Sequence, residues 1–223
     1  MKQWTLDSKA YLDIKEVKKV MAWAEAHAQK SAKRGGYQAE VSWLALRLGL
    51  EAGLRANEIA TLRKDDLDLR RLDEARLHVR KGKRGSNGVI FVPKSLAAHL
   101  RCYLKEVRPK LKPRKDHGNL LLGREGKPLT RLTMNKRMRT LLRAAGLPEG
   151  RLNELSPVHC LRHTCGVMLY RATKNLRLVQ KQLRHTRSTT TEVYANLLDE
   201  DWRAGVEAAF TEPSDVGLRL SGS

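Results

Sequence analysis

The chain has 223 residues, of which 41% are hydrophobic, so it is long enough to bury a proper core and too apolar for a disordered segment. Its 44 Lys and Arg against 24 Asp and Glu leave a formal charge of +20, a field that repels cations and gathers polyanions such as a phosphate backbone. Cys102, Cys160 and Cys165 are odd in number and lack C-x-x-C spacing, which argues against a disulfide scaffold or a zinc site and for reduced core thiols.

Apolar residues at three- and four-residue steps, Ile14, Val17, Val20, Met21 and Ala24, predict a helix from about Asp13 to Lys30, broken by Arg34-Gly35-Gly36. Val41, Leu44, Ala45 and Leu48 predict a second from Gln38 to Glu51. Gly53 ends it, and a shorter helix follows from Asn57, read as its N-cap, to Arg63. Leu77 and Val79 then alternate with polar neighbours, and Val89-Ile90-Phe91-Val92 resumes after a Lys/Arg/Gly/Asn turn, which predicts a β-hairpin with a basic tip.

A helix over Ser95 to Val107 leads into a basic, Pro-containing connection, Arg108 to Lys115, read as a solvated linker, and a short apolar segment at Leu120 to Leu122. Further helices are predicted at Arg131 to Ala145, Val158 to Ala172, Leu176 to Arg184, Thr189 to Asn196 and Glu200 to Phe210, before a tail from Thr211 to Ser223 rich in Ser, Gly and Pro. The fold class is therefore mainly α with a small antiparallel β-sheet. Met1 to Asp13 lacks the apolar run of a signal peptide and no stretch reaches the length of a membrane span, so a soluble, cytoplasmic protein is expected.

The residues that carry chemistry are dispersed. His159-Cys160-Leu161-Arg162-His163 sets His159 and Arg162 on one side of a helix by their i, i+3 relation, a pattern that alone describes any surface helix with solvated charges. Gly53-Leu54-Arg55-Ala56-Asn57-Glu58 puts Arg55 at a helix junction, where its side chain can reach a cleft. Lys81-Gly82-Lys83 lies at the hairpin turn, and Leu183-Arg184-His185 precedes Tyr194 in an H-x8-Y arrangement.

In this order and at these separations, over roughly residues 11 to 197, the segments resemble the tyrosine recombinase (phage integrase) family of DNA breaking and rejoining enzymes. The resemblance implies that Arg55 and Arg162 grip the scissile phosphate and that His159 and His185 brace it. It further implies that Tyr194 attacks phosphorus, leaving a 3′-phosphotyrosyl bond, and that Lys81 protonates the departing 5′ oxygen. Lys83 and Arg84 are the alternatives for the acid and, with Arg184, the expected DNA contacts. Glu58 is expected to orient Arg55 or a neighbouring histidine. Tyr170, also downstream of Arg162, fits a packed position better than that of nucleophile. No metal or other cofactor is implied. The implied partners are double-stranded DNA, in the nucleoid, and further copies of the chain, as a tetramer on DNA and a monomer in solution.

The chain also departs from that pattern. Residues 1–210 read as the catalytic domain alone, without the N-terminal helical domain that clamps the opposite side of the DNA in family members. Arg184 stands where a glycine is usual and Asn57 where a serine is common. Two rival readings remain at this level: a type IB topoisomerase, which uses a similar residue set, and a DNA-binding protein on this fold that does not cut.

Overall fold

The computed structural model describes residues 8–80, 88–113 and 115–184, all inside one unit, Asp7–Thr186. The first helix, α1 (Ile14–Ala32), starts where Asp13 and Glu16 cap each other: Asp13 Oδ1 accepts the Glu16 amide at 2.8 Å and Glu16 Oε2 accepts the Asp13 amide at 2.9 Å. Its buried stripe, Val17, Val20, Ala24 and Ala28, lies on α2 (Gln38–Leu50), which is itself buried along its whole second half. A helix enclosed this way also buries Arg47, and the structure supplies its partners. Glu51 accepts from Arg47 Nε at 2.5 Å, and Ser95 Oγ and His99 Nδ1 meet the guanidinium from α4 (Lys94–Cys102).

The chain then turns into α3 (Ala56–Thr61), whose N-cap is Arg55, one residue before the first helical position and two before Asn57. The expected hairpin is present as β2 (Arg76–Val79) and β3 (Gly88–Phe91), with Leu77 opposite Ile90 and both buried. A strand that the sequence pattern did not announce, β1 (Leu67–Asp68), adds Leu67 opposite Leu77 and completes a three-stranded antiparallel sheet in the order β1-β2-β3. Two residues are too few to show an alternation, so tertiary pairing alone defines this strand.

α4 runs directly into a π-helical turn, Tyr103–Val107, so the helix expected over Ser95 to Val107 is present with an altered last turn, and a 3-10 turn, Arg108–Leu111, opens the connection expected as a linker. Arg108 is only 4% exposed: it donates to the Asn119 carbonyl at 3.0 Å and to Asp116 at 2.7 Å, so this start of the basic connection is structural, not solvated. Next come α5 (Arg131–Ala144), the unanticipated α6 (Glu149–Glu154), the central α7 (Pro157–Thr173) and α8 (Leu176–Leu183). Arg139 of α5 donates to the carbonyls of Leu152 and Leu155, which fixes the approach to α7. α7 packs on α2 and α5, while α8 packs on α7 and on β3.

Cys160 and Cys165 are core thiols that burial pushes up to about 12, whereas Cys102 is exposed, contrary to the core position expected for it. Among the described residues no helix is long and apolar enough to cross a membrane. The helices expected at Thr189 to Asn196 and Glu200 to Phe210 lie outside the described residues.

Candidate active site

Three segments far apart in sequence meet at the N-terminal end of α3. The α2–α3 junction passes through Gly53 at φ +66°, and a Cβ there would lie 2.4 Å from Leu183 Cδ2, so both the backbone conformation and the close approach demand glycine. Arg55 follows in extended conformation, and Glu58 at the third helical position takes it at two points. Glu58 Oε2 accepts the Arg55 amide at 2.8 Å and Oε1 accepts Arg55 Nη1 at 2.9 Å. The Arg55 side chain stays 46% exposed, so its guanidinium is oriented by protein and still open to a ligand.

Burial works to raise the pKa of Glu58, but the Arg55 amide and the charges of Arg184 and Arg55 together hold the carboxyl below its ordinary value. Glu58 is therefore an anion held between two guanidiniums.

α7 brings the second segment. Arg162 is 3% exposed and spans two carbonyls, donating through Nη1 to Gly53 at 2.5 Å and through Nη2 to Leu183. Leu183 is the last residue of α8, so its carbonyl is one of those a helix leaves without a partner, and a guanidinium is well suited to that negative end. One turn earlier, His159 is exposed with the His163 ring edge-on at 4.5 Å. The protein packed around His159, then the charges of Arg162, Arg55 and Arg131, lower its pKa, so the imidazole is neutral at neutral pH and can accept a proton.

Arg131 was not singled out by sequence reasoning. The available signal was its place at the first position of α5, where a cation opposes the helix dipole and adds to the local positive field.

Arg184 was expected as an outward phosphate contact, and its geometry is different. The side chain is 7% exposed and donates to Glu58 Oε2 at 2.7 Å, so the guanidinium is turned inward. Tyr170 is 3% exposed in the α7 core, a packing position. Lys81, Lys83, Arg84, His185 and Tyr194 lie outside the described residues. Of the residues singled out, Arg55, Glu58, His159, Arg162 and Arg184 are described: Glu58 holds both Arg55 and Arg184, and the charges of Arg162 and Arg55 act on His159. Among the described residues no group of His, Cys, Asp and Glu has the arrangement of a metal site.

A family profile described as the phage integrase family matches residues 10–201. The chain belongs to this family. Similar phage integrase family proteins include tyrosine recombinase XerA of Thermococcus kodakarensis, 32% identical over 158 residues, covering 71% of this chain and 51% of that protein. Tyrosine recombinase XerC of Neisseria gonorrhoeae is 34% identical over 146 residues, covering 66% and 44%. The chain thus spans about half the length of the curated relatives it matches.

The fold is shared with the crystal structure of XerA recombinase, at TM-score 0.70 and 21% identity over 92% of this chain and 66% of that one. It is also shared with XerH site-specific recombinase bound to palindromic difH substrate in a post-cleavage complex, at TM-score 0.69 and 22% identity over 90% and 53%. The domain described above is the catalytic one of the family.

Proposed function

We propose that this domain cleaves and rejoins DNA as the catalytic part of a site-specific recombinase or integrase, through a 3′-phosphotyrosyl intermediate. The observation that carries the reading is the convergence of Arg55, Arg162 and a neutral His159 around one site beside an open guanidinium. A phosphodiester in transfer gathers charge on its non-bridging oxygens, and fixed cations at that place lower the barrier directly. Arg55 offers paired donors to those oxygens, Arg162 supplies charge while fixing the backbone on both sides, and His159 takes the phenolic proton.

In the proposed step the Tyr194 oxygen forms a bond to phosphorus as the bond to the 5′ oxygen breaks, and Lys81 gives that oxygen its proton; Lys83 and Arg84 are the alternatives. His185 braces the phosphate. One phosphodiester is exchanged for another, so rejoining runs the same step backwards without an external energy source. The proposed partner is duplex DNA, consistent with the charge of +20, with copies of the chain assembling as a tetramer on two duplexes.

The test is adduct trapping on a nicked duplex built from the DNA flanking the gene. Wild type is expected to form a covalent protein–DNA adduct, and Tyr194→Phe to bind equally and form none. An adduct surviving in Tyr194→Phe, or binding without any adduct in wild type, defeats the proposal. Relaxation of supercoiled plasmid that lacks any recombination site, by monomeric protein, would favour the topoisomerase reading instead.

A further inference from the structure

Arg184 is built as an internal strut. Its backbone is left-handed, φ 52° and ψ 52°, a conformation that side chains rarely adopt and that glycine would take without strain. The side chain has nonetheless been drawn in: it is 7% exposed, it donates to Glu58, and its Nη1 is buried with no hydrogen-bond partner among the described residues. Burial lowers its pKa, against the pull of the Glu58 charge. A residue serving stability alone would not combine a strained backbone, a desolvated cation and an unmatched donor.

What the arrangement does achieve is contact with three segments at once. Arg184 immediately precedes His185 in the chain, and its guanidinium grips the carboxylate that orients Arg55. Its aliphatic stem lies across Gly88, the first residue of β3, at the base of the β2–β3 hairpin. A Cβ on Gly88 would fall 2.4 Å from Arg184 Cδ. Because Glu58 pins the far end of the side chain, the stem cannot swing away cheaply.

We infer that Arg184 is a positioning residue that sets the α3 end, the hairpin base and the end of α8 relative to one another, and not a DNA phosphate contact. Its catalytic consequence rests on the function proposed above; the strut itself does not.

The test uses the full chain with Arg184→Gly, Arg184→Lys, Gly88→Ala and the Gly88→Ala/Arg184→Gly pair. On the nicked duplex, Arg184→Gly is expected to keep wild-type affinity and salt slope while adduct formation per bound complex falls tenfold or more. Arg184→Lys, which keeps a cation able to reach Glu58 but lacks the planar guanidinium, is expected to recover part of the rate. A salt slope reduced by about 0.9, with the rate per bound complex unchanged, would mark Arg184 as a phosphate contact and overturn the inference.

Thermal unfolding gives an arm that needs no DNA. Gly88→Ala is expected to lower the midpoint in the wild-type background and to be neutral beside Arg184→Gly, because the atoms it collides with are gone. Equal effects of Gly88→Ala in both backgrounds would remove the strut, even if wild type formed no adduct and only the proposed function had failed.

Discussion

The carboxylate of Glu58 holds Arg55 at both ends, taking its backbone amide at 2.8 Å and its Nη1 at 2.9 Å, while Arg184 approaches the same carboxylate at 2.7 Å. One anion thereby orients a guanidinium that remains half open and ties a second that is buried.

Replacing Glu58 by Gln keeps the size and removes the charge facing both arginines. A carboxyl whose folded pKa lies below its unfolded value stabilises the fold at any pH above the unfolded value, and that contribution disappears as pH falls through the folded pKa. Glu58→Gln is expected to cost about 1–3 kcal/mol at neutral pH. The gap to wild type should close in acid, below the ordinary carboxylate range. Urea unfolding at both pH values reads this, and a gap independent of pH would contradict it.

Arg162 supplies two donors, one to the Gly53 carbonyl and one to the Leu183 carbonyl. An ammonium cannot span both, so Arg162→Lys is expected to destabilise by about 1–3 kcal/mol in chemical unfolding. It should also abolish adduct formation at temperatures where the variant is fully folded. Full activity in the lysine variant would show that charge alone suffices there.

His159 has a folded pKa below its ordinary value, so the folded state binds fewer protons than the unfolded one as pH falls below the ordinary histidine value. This residue therefore lowers stability progressively on acidification, with the full loss reached below the folded pKa. In NMR titration its ring protons should move at lower pH than those of a free histidine. Binding of duplex DNA should raise that midpoint, because a phosphate offsets the three guanidiniums. An unchanged midpoint on binding would place the phosphate elsewhere.

Gly53→Ala adds a methyl to a positive-φ position that already faces Leu183. A cost of about 1–3 kcal/mol is expected from strain and crowding. Thermal unfolding measures it, and a neutral result would mean that the end of α8 yields easily.

Binding to duplex DNA should weaken steeply with salt, with a log–log slope of about −0.9 for each phosphate contacted. Fluorescence anisotropy across a salt series tests this. A flat response would be incompatible with a phosphate-tracking use of the +20 charge.

Much of this architecture is legible in the sequence because it is local. Val17, Val20 and Ala24 repeat at the helical period, and Leu77 and Val79 alternate as a strand does. The ends of α1, α2, α5 and α8 were anticipated to within two residues. The ordered segments around Arg55, His159 and Arg162 were likewise readable, since order and spacing are properties of a linear string. β1 and the buried role of Arg108 were not, because each depends on a partner distant from it in the chain, and α6 is a helix of six residues, too short to show a period.

Residue types, their order, the strong positive charge and the periods that make a mainly helical fold are all properties of the linear string. What those residues touch follows from packing. The bond from Arg162 to Gly53 crosses 109 positions, and that from Arg184 to Glu58 crosses 126. No periodicity encodes such contacts, since they arise only when α2, α7 and α8 pack and leave buried carbonyls and a carboxylate that must be satisfied. That requirement turned Arg184 from an expected surface contact into an internal tie.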